Sequence, residues 1–302
     1  MLTSKILSGV FAAAVTPITE NQSLDPAGLT ELLEFLANRG CHGALLMGTT
    51  GEGPSFSPEE RSEICQQAAA FRSTHPEFAF LVGTGTPSLS ETIALTKVSF
   101  DAGLDGVVVL PPYYYKKVNE QGLFDWYSQV IRKAVPGDGK FFGYHIPAVS
   151  GVGLSLDLIA RLLDAFPGQF AGLKDSTGDP DFARALGARF GRDLIVFTGN
   201  DSLFSLALEN HASGCITALA NLYSPVLRQI WDAFQTRQST QAFQDRIAAE
   251  RTVSDRYAPA PALLKMMLHK SHGLPAWPVR PPLTALSLDL AEQALAEFSH
   301  LG

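Results

Sequence analysis

Phe170-Ala171-Gly172-Leu173-Lys174-Asp175-Ser176-Thr177 is the stretch on which the reading of the fold turns. Its first four residues are apolar or small, with no polar alternation, as expected of a strand buried on both faces in a parallel sheet. The run then ends in a cation, an acid and two hydroxyls. Seven other runs have the same character, at residues 9–15, 43–47, 78–82, 106–110, 141–145, 194–198 and 214–218. Between them lie stretches with apolar residues at helical spacing, such as 26–38, 58–71 and 88–102. Helix starts are marked by Ser57-Pro58-Glu59-Glu60, which offers an N-cap, a proline at the first helical position and early acidic charge. Asp25-Pro26 and Asp179-Pro180 repeat the pattern.

Eight strand–helix units of roughly 25 residues each predict an α/β fold, a (β/α)8 TIM barrel, in preference to an open doubly wound sheet. After Ala220 the strand signal stops. Residues 224–272 and 283–298 read as helices separated by the proline-rich 274–282. The expected division is therefore a catalytic barrel over 1–222 and a C-terminal helical region over 223–302, packed on the barrel without a low-complexity linker.

Composition narrows the function. Of the 302 residues, 46% are hydrophobic and 18% charged, enough to bury a large core and far from a disordered composition. A net charge of −7 without any Lys/Arg cluster argues against nucleic acid as a partner. The apolar opening is too short for a membrane span. It contains Gly9 and runs into Thr16-Pro17, so it reads as a buried first strand rather than a signal peptide. Cys41, Cys65 and Cys215 form no CxxC pair and are odd in number, which fits small buried residues in a reducing cytoplasm.

In such a barrel, functional groups sit at the C-terminal strand ends and in the loops that follow. Five strand ends are polar or aromatic: Gly48-Thr49-Thr50-Gly51-Glu52, Pro111-Pro112-Tyr113-Tyr114-Tyr115, Tyr144-His145-Ile146-Pro147, Lys174-Asp175-Ser176-Thr177 and Thr198-Gly199-Asn200-Asp201. A lysine at the barrel mouth with apolar walls is partly desolvated, which frees neutral amine for attack on a carbonyl; alternatively Lys174 snorkels to solvent. Tyr144, at the same height on the neighbouring strand, is placed for acid–base work, or to pack the barrel top. Thr49 and Thr50 can bind a carboxylate or relay a proton, and the glycines around them allow close backbone approach. A phosphate loop is disfavoured because no GK[ST] follows and Glu52 repels anions. The three consecutive tyrosines suit a subunit contact, a ligand wall or plain packing. His145 has no partner at metal-ligand spacing, so a metal centre is not expected.

These motifs, in order and at strand ends, resemble the dihydrodipicolinate synthase / N-acetylneuraminate lyase family of class I aldolases over nearly the whole chain. The resemblance is carried by AAAVTPI near the start, GTTGE at 48–52, GTG at 83–85, PYYY at 112–115, YHIPAVSG at 144–151, GLKDSTGD at 172–179, TGND at 198–201 and RPPL at 280–283. It implies that Lys174 forms a Schiff base with a 2-oxo acid such as pyruvate, that Tyr144 shuttles protons, and that Thr50 and Thr49 lie in the carboxylate-binding turn. Thr50 is assigned to the catalytic set and Thr49 to the binding set. Tyr114 is similar to the tyrosine lent across a dimer interface, and a homotetramer is expected. Gly199 and Ile216 match substrate-lining positions, and Ser176, Asp201 and His145 join them as expected contacts. No cofactor is implied.

Departures from the family bear on the second substrate. Val149 stands where dihydrodipicolinate synthases have an arginine for a carboxylate, which valine cannot replace. Asp201-Ser202 retains half of the acidic pair of sialic acid lyases, and His145 follows Tyr144 where asparagine is commoner. The expected reaction is aldol cleavage or condensation of a hydroxylated 2-oxo acid, of the 2-keto-3-deoxy sugar acid type. Dehydration through the same imine is the alternative, followed by true dihydrodipicolinate synthase or sialic acid lyase activity, and last by a non-catalytic binding barrel.

Overall fold

The computed structural model describes residues 7–301; Met1, Lys5 and the rest of the extreme N-terminal stretch lie outside them. Strands β1 Gly9–Ala13, β2 Gly43–Leu46, β3 Ala79–Gly83, β4 Gly106–Val109, β5 Lys140–His145, β6 Phe170–Asp175, β7 Ile195–Thr198 and β8 Gly214–Thr217 form a closed barrel in chain order. Every neighbouring pair is parallel, including β1 with β8. The apolar runs thus correspond to strands. The first is shorter than the run that announces it, although Ala14 and Val15 remain buried beyond its end.

Two apolar shells explain why both faces of each strand are hydrophobic. Phe11, Leu45, Leu81, Val108, Phe142, Phe197 and Ile216 point inward and fill the barrel. The Phe197 ring meets Phe11 edge-on at 5.1 Å and Phe142 at 5.8 Å between centroids. Outward-facing Val10, Ala44, Phe80, Val107, Phe141 and Leu173 pack instead against the helices. Each filled side chain of this size contributes about 1.5–3 kcal/mol relative to exposure.

The helices around the barrel are α1 Pro26–Asn38, α2 Pro58–Thr74, α3 Leu89–Asp101, α4 Glu120–Ala134, the single turn α5 Pro147–Ser150, α6 Leu156–Ala165, α7 Pro180–Phe190, α8 Phe204–Glu209 and α9 Ala220–Gln235. Asp25, Ser57 and Asp179 are the N-caps expected from their prolines. Ser57 and Glu60 complete a capping box, a device worth about 1 kcal/mol. The short turns α5 and α8 carry too little periodicity to be read from sequence.

Helix α9 covers β1 and β8 and bends at Tyr223, two residues before Pro225. The division at 222/223 expected from the sequence falls within this helix. Helices α10 Gln241–Ser254, α11 Ala260–His272 and α12 Leu288–Ser299 follow. The last starts later than expected: Ser287 caps it by accepting the Leu290 N–H, and residues 274–287 form an irregular strap.

Candidate active site

The barrel register brings Lys174 and Tyr144 together. Phe141 pairs with Phe170, but Phe142 pairs with Gly172, so β6 carries one extra residue at Ala171. Without that bulge Tyr144 would stand beside Leu173, which faces the helices; with it, Tyr144 stands beside Lys174 and both point inward. Glycine is required at 172 because a Cβ there would lie 1.8 Å from the Ile195 carbonyl oxygen. Lys174 Nζ donates to Tyr144 Oη at 3.1 Å and sits 4.3 Å from the centroid of its ring. Both side chains are buried at the C-terminal mouth of the barrel.

Burial opposes ionisation of Tyr144, yet the positive charge of Lys174 and hydrogen bonding from Lys174, Thr49 and Ser176 hold the phenol below its ordinary range. The acidified phenol is therefore better able to give up and retake a proton than a tyrosine in water. Ser176 reaches it because Gly199 leaves room: a Cβ at 199 would lie 1.8 Å from Ser176 Oγ. Ile216 belongs to the same interior cluster as Tyr144. Lys174, Tyr144, Thr49, Ser176 and Gly199 are thus brought together, with Ile216 in the interior cluster that Tyr144 caps.

The threonine that meets the phenol is Thr49, whereas the motif had placed Thr50 in the catalytic set. Thr50 lies next to it, partly buried, in the same turn. That turn is pinned from several sides. Thr16 Oγ1 donates to the Gly51 carbonyl at 2.7 Å, and Glu52 accepts from Lys265 Nζ at 2.6 Å and from the Arg280 backbone N–H at 2.8 Å. The AAAVTPI and RPPL motifs therefore support the turn. Nearby, Asn221 ties the end of β1 to the start of α9 by accepting from Val15 N–H and donating to the Ala13 carbonyl. Thr16, Asn221 and Lys265 were not singled out from sequence, since a lone threonine, asparagine or helix lysine carries no local signal of burial.

Two expected contacts lie elsewhere. His145 follows Tyr144 on a strand and so faces the opposite side, between β5 and α7, where its ring stacks on Phe182 with centroids 4.6 Å apart. Its Nδ1 accepts the Leu154 N–H at 2.8 Å, and burial lowers its pKa to about 4, so the ring is neutral. Asp201 turns toward the C-terminal helices. Its carboxylate is wholly buried 3.4 Å from Arg251 Nη1, and its carbonyl accepts from Gln244. Burial raises the Asp201 pKa to about 6, with Arg251 opposing. Both side chains are thus engaged by groups other than Lys174 and Tyr144.

Tyr114 is 74% exposed and Tyr115 72%, their rings edge-on at 5.2 Å, so within one chain Tyr114 does not reach the Lys174 pair. Val149, 59% exposed, sits on the single-turn helix α5 at the mouth. Lys116 Nζ bridges the two mouth loops by donating to the Ser150 carbonyl at 2.7 Å and to the Tyr113 carbonyl. Among the described residues no helix is long and apolar enough to cross a membrane.

The fold and its mouth define a (β/α)8-barrel enzyme with paired lysine and tyrosine, a class that many chemistries share. Comparison narrows this. The Dihydrodipicolinate synthetase family matches residues 6–300, and the chain belongs to it. An uncharacterised DapA-like lyase of Chloroflexus aurantiacus is 38% identical over 280 residues, 92% of each chain. A second, from Thermococcus kodakarensis, is 32% identical over 298 residues, 96% of this chain and 98% of the relative. The crystal structure of YagE, an Escherichia coli K12 prophage protein of the dihydrodipicolinic acid synthase family in complex with pyruvate, superposes with a TM-score of 0.90 at 25% identity, covering 98% of this chain and 99% of that one. The chain is a lyase of this family, acting on small molecules.

Proposed function

We propose that this lyase captures pyruvate, or a 2-oxo acid that yields it, as a Schiff base on Lys174. The observation that carries the reading is the buried 3.1 Å contact between Lys174 Nζ and Tyr144 Oη. Neutral Lys174 amine attacks the C2 carbonyl to form a carbinolamine. Tyr144 gives a proton to the departing hydroxyl, water leaves, and the imine forms. Loss of a proton from C3 then gives an enamine. In the synthetic direction that carbon attacks an aldehyde; in cleavage the aldehyde leaves and the enamine is protonated at C3, and in both directions water then hydrolyses the imine to release the 2-oxo acid and free the Lys174 amine. Thr49 passes protons to and from Tyr144, and Thr50 with the backbone of the 48–52 turn holds the carboxylate.

The aldehyde partner is hydroxylated and uncharged, as in a 2-keto-3-deoxy sugar acid. Val149 supports this, because an exposed valine offers no charge-assisted bond to a second carboxylate. The exposed Tyr114 supports a homotetramer in which it enters a neighbour's site, and a cytoplasmic setting goes with this reading. Borohydride reduction with pyruvate, followed by peptide mass spectrometry, tests the first step. An adduct on Lys174, absent from Lys174→Ala, is the expected result; an unmodified Lys174 peptide refutes the imine. Robust condensation of pyruvate with aspartate semialdehyde would refute the use made of Val149.

A further inference from the structure

We propose that Lys265, distant in sequence on helix α11, is a positioning residue for the carboxylate-binding turn, acting through Glu52. The proposal rests on the imine chemistry above and adds to it a residue outside the barrel.

Glu52 ends the turn that carries Thr49 and Thr50, and its backbone is left-handed, with φ of 56°. A side-chain-bearing residue stays in that conformation only where its surroundings hold it. Here the hold is ionic. Lys265 Nζ lies 2.6 Å from Glu52 Oε1, with the two side chains 1% and 0% exposed. The remaining Glu52 oxygen accepts the Arg280 N–H at 2.8 Å, and Lys265 also donates to the Pro278 carbonyl at 2.7 Å. The strap that carries Pro278 and Arg280 is fastened in turn by the Arg280 guanidinium, which pairs with Glu60 and lies 4.1 Å from the centroid of the Phe56 ring.

The turn transmits what happens at Glu52. Glu52 N–H donates to the Thr49 carbonyl at 3.2 Å and Gly53 N–H to the Gly48 carbonyl at 3.1 Å. The glycines leave no slack, since a Cβ at Gly53 would lie 2.0 Å from the Met47 carbonyl oxygen. Displacement of the Glu52 side chain therefore moves Thr49 and Thr50 rather than being absorbed. Burying two opposite charges is a poor route to stability, because desolvation offsets most of their attraction. What the pair does supply is one position for the glutamate, and hence one shape for the turn.

The test compares Lys265→Met with Leu263→Ala, which opens a cavity in the same helix and leaves the ion pair intact. Trapping of pyruvate on Lys174 by cyanoborohydride is followed by intact-mass spectrometry across pyruvate concentrations. Lys265→Met is expected to raise the half-saturating concentration about tenfold with little change in the final extent, the signature of lost ground-state binding. Leu263→Ala is expected to lower the melting temperature and leave half-saturation at the wild-type value. Wild-type half-saturation in Lys265→Met overturns the proposal. Should that variant not fold, Glu52→Gln/Lys265→Met, which removes both charges at similar volume, takes its place under the same criteria. Hydrogen–deuterium exchange of the peptide over 48–56 provides a readout without ligand. Faster exchange in the ion-pair variant but not in Leu263→Ala is expected, and unchanged exchange overturns the proposal even if the wild type forms no adduct. A missing wild-type adduct alone counts against the imine instead.

Discussion

At the residue scale, chemistry at this site depends on which hydroxyls meet one phenol. Tyr144 has Lys174 Nζ at 3.1 Å and is held below the ordinary phenol range by that charge and by Thr49 and Ser176, against the effect of burial. Tyr144→Phe keeps the ring that packs in the barrel and removes the proton carrier. It is expected to slow adduct formation on Lys174 by about 10²–10³-fold while leaving the melting temperature within a few degrees, read by timed cyanoborohydride quenching. A wild-type rate would remove Tyr144 from the reaction. The two threonines separate in the same assay. Thr49→Val is expected to lower the rate by about tenfold, whereas Thr50→Val raises the half-saturating pyruvate concentration. The motif identified both threonines and put Thr50 in the catalytic set, but adjacent residues in a turn have no fixed alternation, and the fold sets Thr49 against the phenol. His145 and Asp201 show the opposite limit. Their polarity and position at strand ends drew them into the expected site, and the alternation of β5 and the pull of Arg251 turned them away.

At the scale of elements, the sequence was legible where periodicity and punctuation agreed. Strands announced themselves as unbroken apolar runs, and the helices begun by Asp25, Ser57 and Asp179 start where capping chemistry places them. The bulge at Ala171 was not legible, although Gly172 inside a strand is its local sign. The ion pair joining α11 to the second strand–helix loop was hidden too, because 213 residues separate Lys265 from Glu52. His145 gives this scale a pH prediction, since its ring links β5 to the loop at Leu154 and to α7. Its folded pKa of about 4 lies below the ordinary 6.5. Between those values the unfolded chain binds a proton that the folded one refuses, so stability contributed by the neutral ring is complete above pH 6.5 and declines as pH falls toward 4. The shift corresponds to at most about 3 kcal/mol. His145→Gln, whose carbonyl can accept the Leu154 N–H, is expected to flatten that decline in melting temperature between pH 7 and 4.5. Asp201, raised to about 6, slopes the other way and is common to both proteins, so their difference isolates the histidine. Parallel curves would show that the ring is not the group responsible.

At the scale of the whole molecule, the barrel brings Tyr144, Thr49, Ser176 and Gly199 to Lys174, while Tyr114 remains exposed and turned to solvent with Tyr115. Two adjacent exposed aromatic rings are costly to leave in water, and in the homotetramer we propose a second copy of the chain covers them and the tyrosine hydroxyl enters a neighbour's mouth. Association and catalysis are then linked by a test that one chain alone cannot pass. Lys174→Ala removes the amine and Tyr114→Phe removes the lent hydroxyl, so each homomeric variant is expected to be inactive or nearly so. In a mixed pair, the site that keeps Lys174 receives an intact Tyr114 from the Lys174→Ala chain and is complete, whereas the other site lacks its amine. Equal co-expression with random pairing makes half of the pairs mixed, and half of their sites complete, giving about one quarter of wild-type activity. Pyruvate formation from a 2-keto-3-deoxy acid, or the fraction of Lys174 that can be trapped rapidly, measures it. Activity no greater than the sum of the separate variants would place Tyr114 within its own chain's site or outside the reaction. Recovery near one quarter ties the reaction to the assembly, with the barrel supplying the amine and the interface completing the proton path.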